Sequence, residues 1–420
     1  MICYLLRTGR IIAPFERPVG ETTVHTRTLA EQQVERITRA GFQVEWIDSL
    51  AEVRSFPSLL ISDDLYFTEA ALRRFLKHAR RRAPGDAAGW QASLEENLLV
   101  QRFFTPLIPQ PHEYEGMEMR SYDCYYLHRL DPGRTPEEQC KPLLIPNRTR
   151  LQRAPVHKLF EVSGDFATPR STVFFTPIRH WTGLLSANLV GLMGLFTEQF
   201  RRRAWSMPLL PLRILARAGS LRPSLLLSKA YLAGRGCKVH HSAHVESSIL
   251  GNDVRIGPNA TVRGCVLADG VEIGPGAVVE GSSVGAGSLI PTTACIRGCV
   301  IGRECSIASL IIQFSVLGDR AITCPTGGFT DFVLRGYVQI EHEGGMLPTE
   351  LRLLGGAAGD DTFLGPGVVV FGGREVPNGC QLVENPRLWV RSAADPPENV
   401  ARVDRRRRQA KKQAVQRRSA

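Results

Sequence analysis

The sequence predicts an α/β domain followed by a parallel β-helix, and two patterns predict it. The first is a repeat. Aliphatic residues stand at Val239, Val245, Leu250, Ile256, Val262, Leu267, Ile273, Val279, Val284, Ile290, Ile296, Ile301 and Ile307, at spacings of six and five that close on a 17-residue period. Two places before each comes a small or β-branched residue, as at Ala243, Ser248, Val254, Ala260, Cys265 and Cys299, and glycine often follows, as at Gly251, Gly257, Gly274, Gly285 and Gly302. A helix of 3.6 residues per turn does not hold this spacing, and hairpin sheets have no reason to repeat at it. Short strands that each send one aliphatic and one small residue into a narrow core do hold it. One period then makes one triangular coil, glycine turns the corners, and stability comes from stacking coil on coil. The second pattern is the opening: an apolar run Ile2 to Leu6, a helical stretch Leu29 to Ala40 and an alternating stretch Phe42 to Ile47 read as strand, helix and strand.

Further along, Leu59 to Ile61 is an apolar strand running into Ser62-Asp63-Asp64, and a helix follows through Leu72, Phe75 and Leu76. A polar connection is expected over 80 to 92, with strands of the same domain at Met117 to Leu130 and Thr172 to Thr176. His180-Trp181 leads into a helix with Leu185, Leu189, Leu192 and Phe196 on one face, closed by Arg201, Arg202 and Arg203. Proline and glycine then break the chain into short segments near Leu209 to Ala218 and Ser224 to Leu232. Leucines beside arginines suit a membrane surface. The expectation adopted is a helical linker packed between the α/β domain and the first coil.

After Ile307 the repeat is lost for some 45 residues and resumes at Leu364, Val370, Val376 and Leu382, with Ala358 and Gly359 ahead of them. The flat faces of a prism hold no pocket, so function is expected in chain that leaves them. The segment 313 to 352 is that candidate. It contains Glu341-His342-Glu343, and His342 is the only histidine after His244. Imidazole suits general-base work near neutral pH, with Glu341 or Glu343 orienting it. Arg335, Tyr337 and Asn378 are the candidates for holding a cofactor.

The expected domains are therefore 1–178 (α/β), 179–234 (helical linker), 235–392 (β-helix with the inserted loop 313–352) and 393–420 (a polar and basic tail). A net charge of +11 over 420 residues suggests nucleic acid until its location is checked. Residues 405 to 420 carry eight cations and no acid, which leaves the remainder at +3. No specific nucleic acid is therefore expected; the tail reads as a solvated, disordered extension, with peripheral contact to an anionic membrane face or loose nucleic-acid contact as the alternatives. Ten cysteines without CxxC pairs read as reduced thiols, four of them in the small inward slot of the repeat. With no signal peptide or membrane-spanning run in view, the expected location is the cytoplasm.

The repeat resembles the left-handed β-helix of hexapeptide-repeat acyltransferases and sugar-nucleotide pyrophosphorylases. With the opening segment, the whole is similar to the bifunctional UDP-N-acetylglucosamine pyrophosphorylase/glucosamine-1-phosphate acetyltransferase family. There a nucleotidyltransferase domain precedes the prism. The stretch Arg7-Thr8-Gly9-Arg10, then Arg17-Pro18, is similar to the family's phosphate-cradling start, which implies nucleotide contacts at Gly9, Arg10 and Arg17. The strand end at Asp63 and Asp64 resembles the family's Mg²⁺-binding position. An acidic cap at a strand-to-helix turn accounts for the same residues. The sequence departs from the family in three ways: one glycine stands in the loop, Arg17 stands where the family has lysine, and lysine is absent from 239 to 410.

The resemblance implies a transferase acting on a sugar or sugar nucleotide, with acyl-CoA as co-substrate on the prism, assembled as a homotrimer. The alternatives are nucleotidyl transfer to a sugar phosphate, with Mg²⁺ as cofactor, and a catalytically inactive scaffold or regulatory member.

Overall fold

The computed structural model describes residues 1–83, 85–95, 106–147, 149–153, 167–206, 209–222, 226, 229–333, 335–385 and 387. The tail expected at 393–420 lies outside them. The N-terminal half runs β1 (Ile2–Leu6), β2 (Ile11–Ile12), β3 (Arg17–Pro18), α1 (Leu29–Arg39), β4 (Gln43–Ile47), β5 (Ser58–Ser62), β6 (Leu65–Phe67), α2 (Glu69–Ala79), β7 (Gly89–Glu95), β8 (Met117–Leu127), β9 (Cys140–Leu144) and β10 (Phe175–Pro177), followed by α3 (Trp181–Ser206) and α4 (Leu210–Ala218). Its main sheet has the order β9-β7-β8-β5-β1-β4. β1 pairs in parallel with β4 and β5, whereas β8 runs antiparallel to both of its neighbours.

α1 starts where Thr28 accepts the N–H of Glu31 and Glu31 accepts the N–H of Thr28, a reciprocal cap that satisfies two free donors. α2 starts on Thr68, which accepts from Ala71, and buries Leu72, Phe75 and Leu76. The polar connection expected over 80 to 92 is shorter, because β7 begins at Gly89. That glycine is a matter of space and not of turning. A Cβ there would stand 2.2 Å from the carbonyl of Tyr126 on the neighbouring strand.

From 232 to 382 the chain forms stacked parallel strands that fit a left-handed β-helix. Two faces hold eight short strands each, from Leu232–Ala233 to Glu375–Val376 and from Lys238–Val239 to Gln381–Leu382. A third runs from His244–Glu246 to Ile312–Gln313. Inside, Val245, Leu250, Val262, Val279, Ile296 and Ile301 stack with Ala260, Cys265 and Cys299. The small slots leave room for the aliphatic ones, and each buried aliphatic contributes roughly 1.5–3 kcal/mol relative to exposure.

The inserted loop is shorter than the repeat spacing suggests. Val300 pairs with Val316 and Ser306 with Ile322, sixteen positions on in each case. The prism therefore continues through Gly328–Phe329, which pairs with Val369–Val370. One residue is missing at the corner before Ile312, and Thr323 takes an aliphatic slot, so the period is broken while the coil is not. The chain leaves the prism only after Phe329. It returns at Ala357–Ala358, which pairs with Val316–Leu317. The excursion carries a hairpin, β11 (Gln339–His342) and β12 (Gly345–Pro348). Glu343 and Gly344 turn it with φ of 49° and 77°, the type I′ arrangement that matches strand twist.

One apolar core joins the two halves. Trp181, Leu184, Leu185 and Val190 of α3 pack with Val24 and Tyr66 on one side, and with Val300, Val316 and Ala357 on the other. Val338 and Ile340 from the excursion close over the same core. The outward positions of the first prism face are apolar here because α3 covers them. Asn188, fully buried on α3, donates to the carbonyls of Gly281 at 3.1 Å and Cys299 at 3.4 Å and accepts from Ser283.

Candidate functional site

Two groups of polar side chains lie at the ends of these elements. The first surrounds the C-terminal ends of β1 and β5, where the sheet delivers Asp63 and Asp64 just past Ser62. Asp63 accepts from Thr8 twice, from its N–H at 3.0 Å and its hydroxyl at 2.7 Å. This ties the loop after β1 to the end of β5. Asp64, almost wholly buried, accepts from Ser62 at 2.6 Å. Arg10 Nε lies 3.4 Å from it and Arg179 Nε 3.9 Å. Arg179 also reaches Asp123 of β8 at 3.6 Å. Burial pushes the Asp63 and Asp123 carboxyls above their usual range, against the hydrogen bonds from Thr8 and Tyr125.

Of the nucleotide contacts expected from sequence, Gly9 and Arg10 belong to this cluster. Gly9 has φ of 66°, and it turns the loop so that Arg10 points at Asp64. Arg17 does not join them. Its guanidinium is held by Asp319, at 3.1 Å, and by Asp360, because β2 and β3 fold the loop into a hairpin whose far end reaches the prism.

A Mg²⁺ ion at Asp63 and Asp64 does not fit this arrangement. Asp63 is engaged by Thr8, and Asp64 faces two guanidinium groups that already supply positive charge. Among the described residues no group of three or more His, Cys, Asp or Glu has metal-holding geometry. What the cluster offers instead is a pair of guanidinium donors set among the carboxylates of Asp63, Asp64 and Asp123. The Nε atoms of Arg10 and Arg179 are buried and make no hydrogen bond, and a donor left so seeks an anionic acceptor.

The second group lies where the excursion meets α3. His180 precedes α3, and its Nδ1 accepts the N–H of Thr182 at 3.3 Å. The proton is thereby placed on Nε2, which lies 3.0 Å from both the Glu341 carbonyl and Glu375 Oε1. His342 stands edge-on to His180 with ring centroids 6.1 Å apart, and it is half-buried. Glu343 Oε1 lies 3.6 Å from His342 Nε2, beyond hydrogen-bond reach, on an exposed turn. Glu341 turns its carboxylate toward Arg374 at 3.8 Å. The expected orientation of His342 by a flanking glutamate is therefore not formed, since a strand points neighbouring side chains to opposite faces.

Arg335 and Tyr337 are exposed on the excursion. Asn378 sits elsewhere: it donates to the Phe15 carbonyl at 3.1 Å and accepts from the N–H of Asp360 at 2.7 Å. Like Arg17, it serves the contact between the two halves. Sequence reasoning did not single out Asp123, Arg179, His180 or Glu375 as site residues. Each is brought in from a distant element, and no local motif marks it.

The stacked coils define a hexapeptide-repeat β-helix, joined here to an α/β domain. Residues 247–281 match the family model described as bacterial transferase hexapeptide (six repeats). That match and the stacked parallel sheets support the hexapeptide transferase superfamily. Comparison with curated proteins gives no match.

Proposed function

We propose that the protein is an acyltransferase that moves an acyl group from acyl-CoA to a sugar or sugar nucleotide, with His342 as general base. The observation that carries this reading is the half-buried His342 standing edge-on to His180 on the long excursion from the prism. In the reaction the acceptor O–H or N–H gives its proton to His342 while its heteroatom attacks the thioester carbonyl. The C–S bond then breaks, and coenzyme A leaves as the thiolate. Arg374, Arg335 and Tyr337 supply positive charge and hydrogen bonds for the donor's phosphates. A homotrimer, which would protect the bare prism faces, belongs to the same proposal.

A second reading is favoured by a separate observation, the unsatisfied Nε atoms of Arg10 and Arg179 beside three carboxylates. It is recognition of a nucleotide or sugar phosphate by the α/β domain, as acceptor handle or as substrate of nucleotidyl transfer. Isothermal titration with acetyl-CoA, and separately with UDP-sugars and nucleoside triphosphates, tests both. Binding of acetyl-CoA that Arg374→Ala weakens supports acyl transfer. Nucleotide binding that Arg10→Ala abolishes supports the second reading. Heat in neither titration overturns both and leaves a scaffold.

A further inference from the structure

We propose that α4, with Leu209 before it and Leu221 beyond it, forms a docking surface for an anionic membrane. The proposal rests on the face that α4 turns outward. Leu209, Pro211, Leu212 and Ala216 are all exposed, and Leu209, Leu212 and Ala216 follow the spacing of one helical face. Leu209 and Leu212 are each 59% exposed, and Leu221 just beyond the helix is 78% exposed. No described residue of α4 is buried. A water-facing helix ordinarily turns charge outward and leucine inward, and here the outer face is apolar.

Charge identifies the occupant. Between Glu198 and Glu246 the chain holds no acid; Arg201 and Arg202 are paired with Glu69 and Glu198, while Arg213, Arg217, Arg222, Lys229, Arg235 and Lys238 lie among its apolar residues. Arg222 is exposed beside Leu221. Arg217 anchors α4 on the first coil, donating to the Tyr231 carbonyl at 3.0 Å with its guanidinium 4.2 Å from the Tyr231 ring centroid. The exposed leucines stand in a stretch that holds cations and no acid. They suit a surface that accepts apolar protrusions anywhere and carries diffuse negative charge, which is a bilayer with anionic headgroups. Among the described residues no helix is long and apolar enough to cross a membrane, so α4 would lie on the surface. The stems of arginines set among these apolar residues are long enough to reach the headgroups.

The test is co-sedimentation of the full chain with vesicles of phosphatidylcholine, with and without phosphatidylglycerol. Binding to the mixed vesicles, weakened by salt, and little to phosphatidylcholine alone is expected. The variant L209S/L212S/L221S should lose affinity on the order of a hundredfold, although its basic C-terminal stretch is intact. Circular dichroism checks its fold, and Leu221→Ser alone, at the most exposed site, should give a partial loss if the triple variant is unstable. Undiminished binding by the variants would assign the membrane contact to other cations and overturn the proposal. So would failure of the wild type to sediment, or wild-type self-association that the substitutions abolish, which would make a second copy the occupant.

Discussion

Arg17 and Asp319, 302 residues apart in sequence, meet at 3.1 Å across the junction of the two halves. The Asp319 side chain is 3% exposed. Burial alone would raise its carboxyl, but hydrogen bonds from Arg303 and the charge of Arg17 hold it below the ordinary range. Arg17 also holds Asp360, so one side chain from a short hairpin fixes two neighbouring prism coils. Arg17→Ala should destabilise the chain by about 1–3 kcal/mol, with Arg303 retaining part of the interaction. The depressed carboxyl contributes its stability above its unfolded pKa near 3.8 and loses it as pH falls through the lower folded value. The difference in melting temperature between wild type and Arg17→Ala should therefore shrink in acid.

Asn188 is the polar counterpart in the centre of the same junction. Asn188→Leu keeps the branching, adds apolar volume to a fully buried site and leaves Ser283 and the Gly281 carbonyl without their partner. The expected loss is about 2–4 kcal/mol in chemical denaturation, larger than for an exposed substitution on α3.

Glu198 is buried between α1, α2 and α3. Burial first, and then its hydrogen bond with Glu69, push its carboxyl from 4.5 up to about 7, despite Arg36 and Arg39. A carboxyl raised on folding stabilises while it is protonated. That contribution is lost as pH rises from the unfolded value to the folded one. Glu198→Gln remains uncharged throughout, so its melting temperature should gain on that of the wild type as pH rises from about 5 to about 8. A parallel pH dependence in the two proteins would contradict this.

Within the prism, Ile296 is fully buried and pairs with Ile312 across the shortened coil. Ile296→Ala should cost about 2–5 kcal/mol, read as a lower denaturant midpoint. Neighbouring coils lose protection from hydrogen exchange with it, because each coil is stabilised by the next.

If acyl transfer is the activity, His342→Ala should lower kcat by about 10²–10⁴ and leave acetyl-CoA affinity unchanged in titration. Glu343→Gln should have little effect, because its carboxylate lies 3.6 Å from His342 on an exposed turn.

The prism was legible because its constraint is local and periodic. Each coil needs a small residue and an aliphatic one at fixed offsets, and Val279 or Ile296 can be placed without knowing anything else in the chain. The strand at Ile2 to Leu6 and the helix from Leu29 were legible for the same reason, since an apolar run and a helical period are local patterns. Where the local rule bends, reading fails. One deleted residue before Ile312 hid a coil, and Gly89 read as connection when a neighbouring carbonyl demanded it.

The sequence by itself determined that stacked coils follow an α/β domain, and that a lone histidine lies on the chain leaving them. Only the tertiary structure decided that Arg17 and Asn378 bind the halves together, that His180 stands near His342, and that Arg10 and Arg179 converge on Asp64. It also separated α3, buried at the junction, from α4, where Leu212 is exposed to solvent. Periodicity reports which face of an element is apolar, but the neighbour that covers that face, or leaves it bare, is set by contacts between residues hundreds of positions apart.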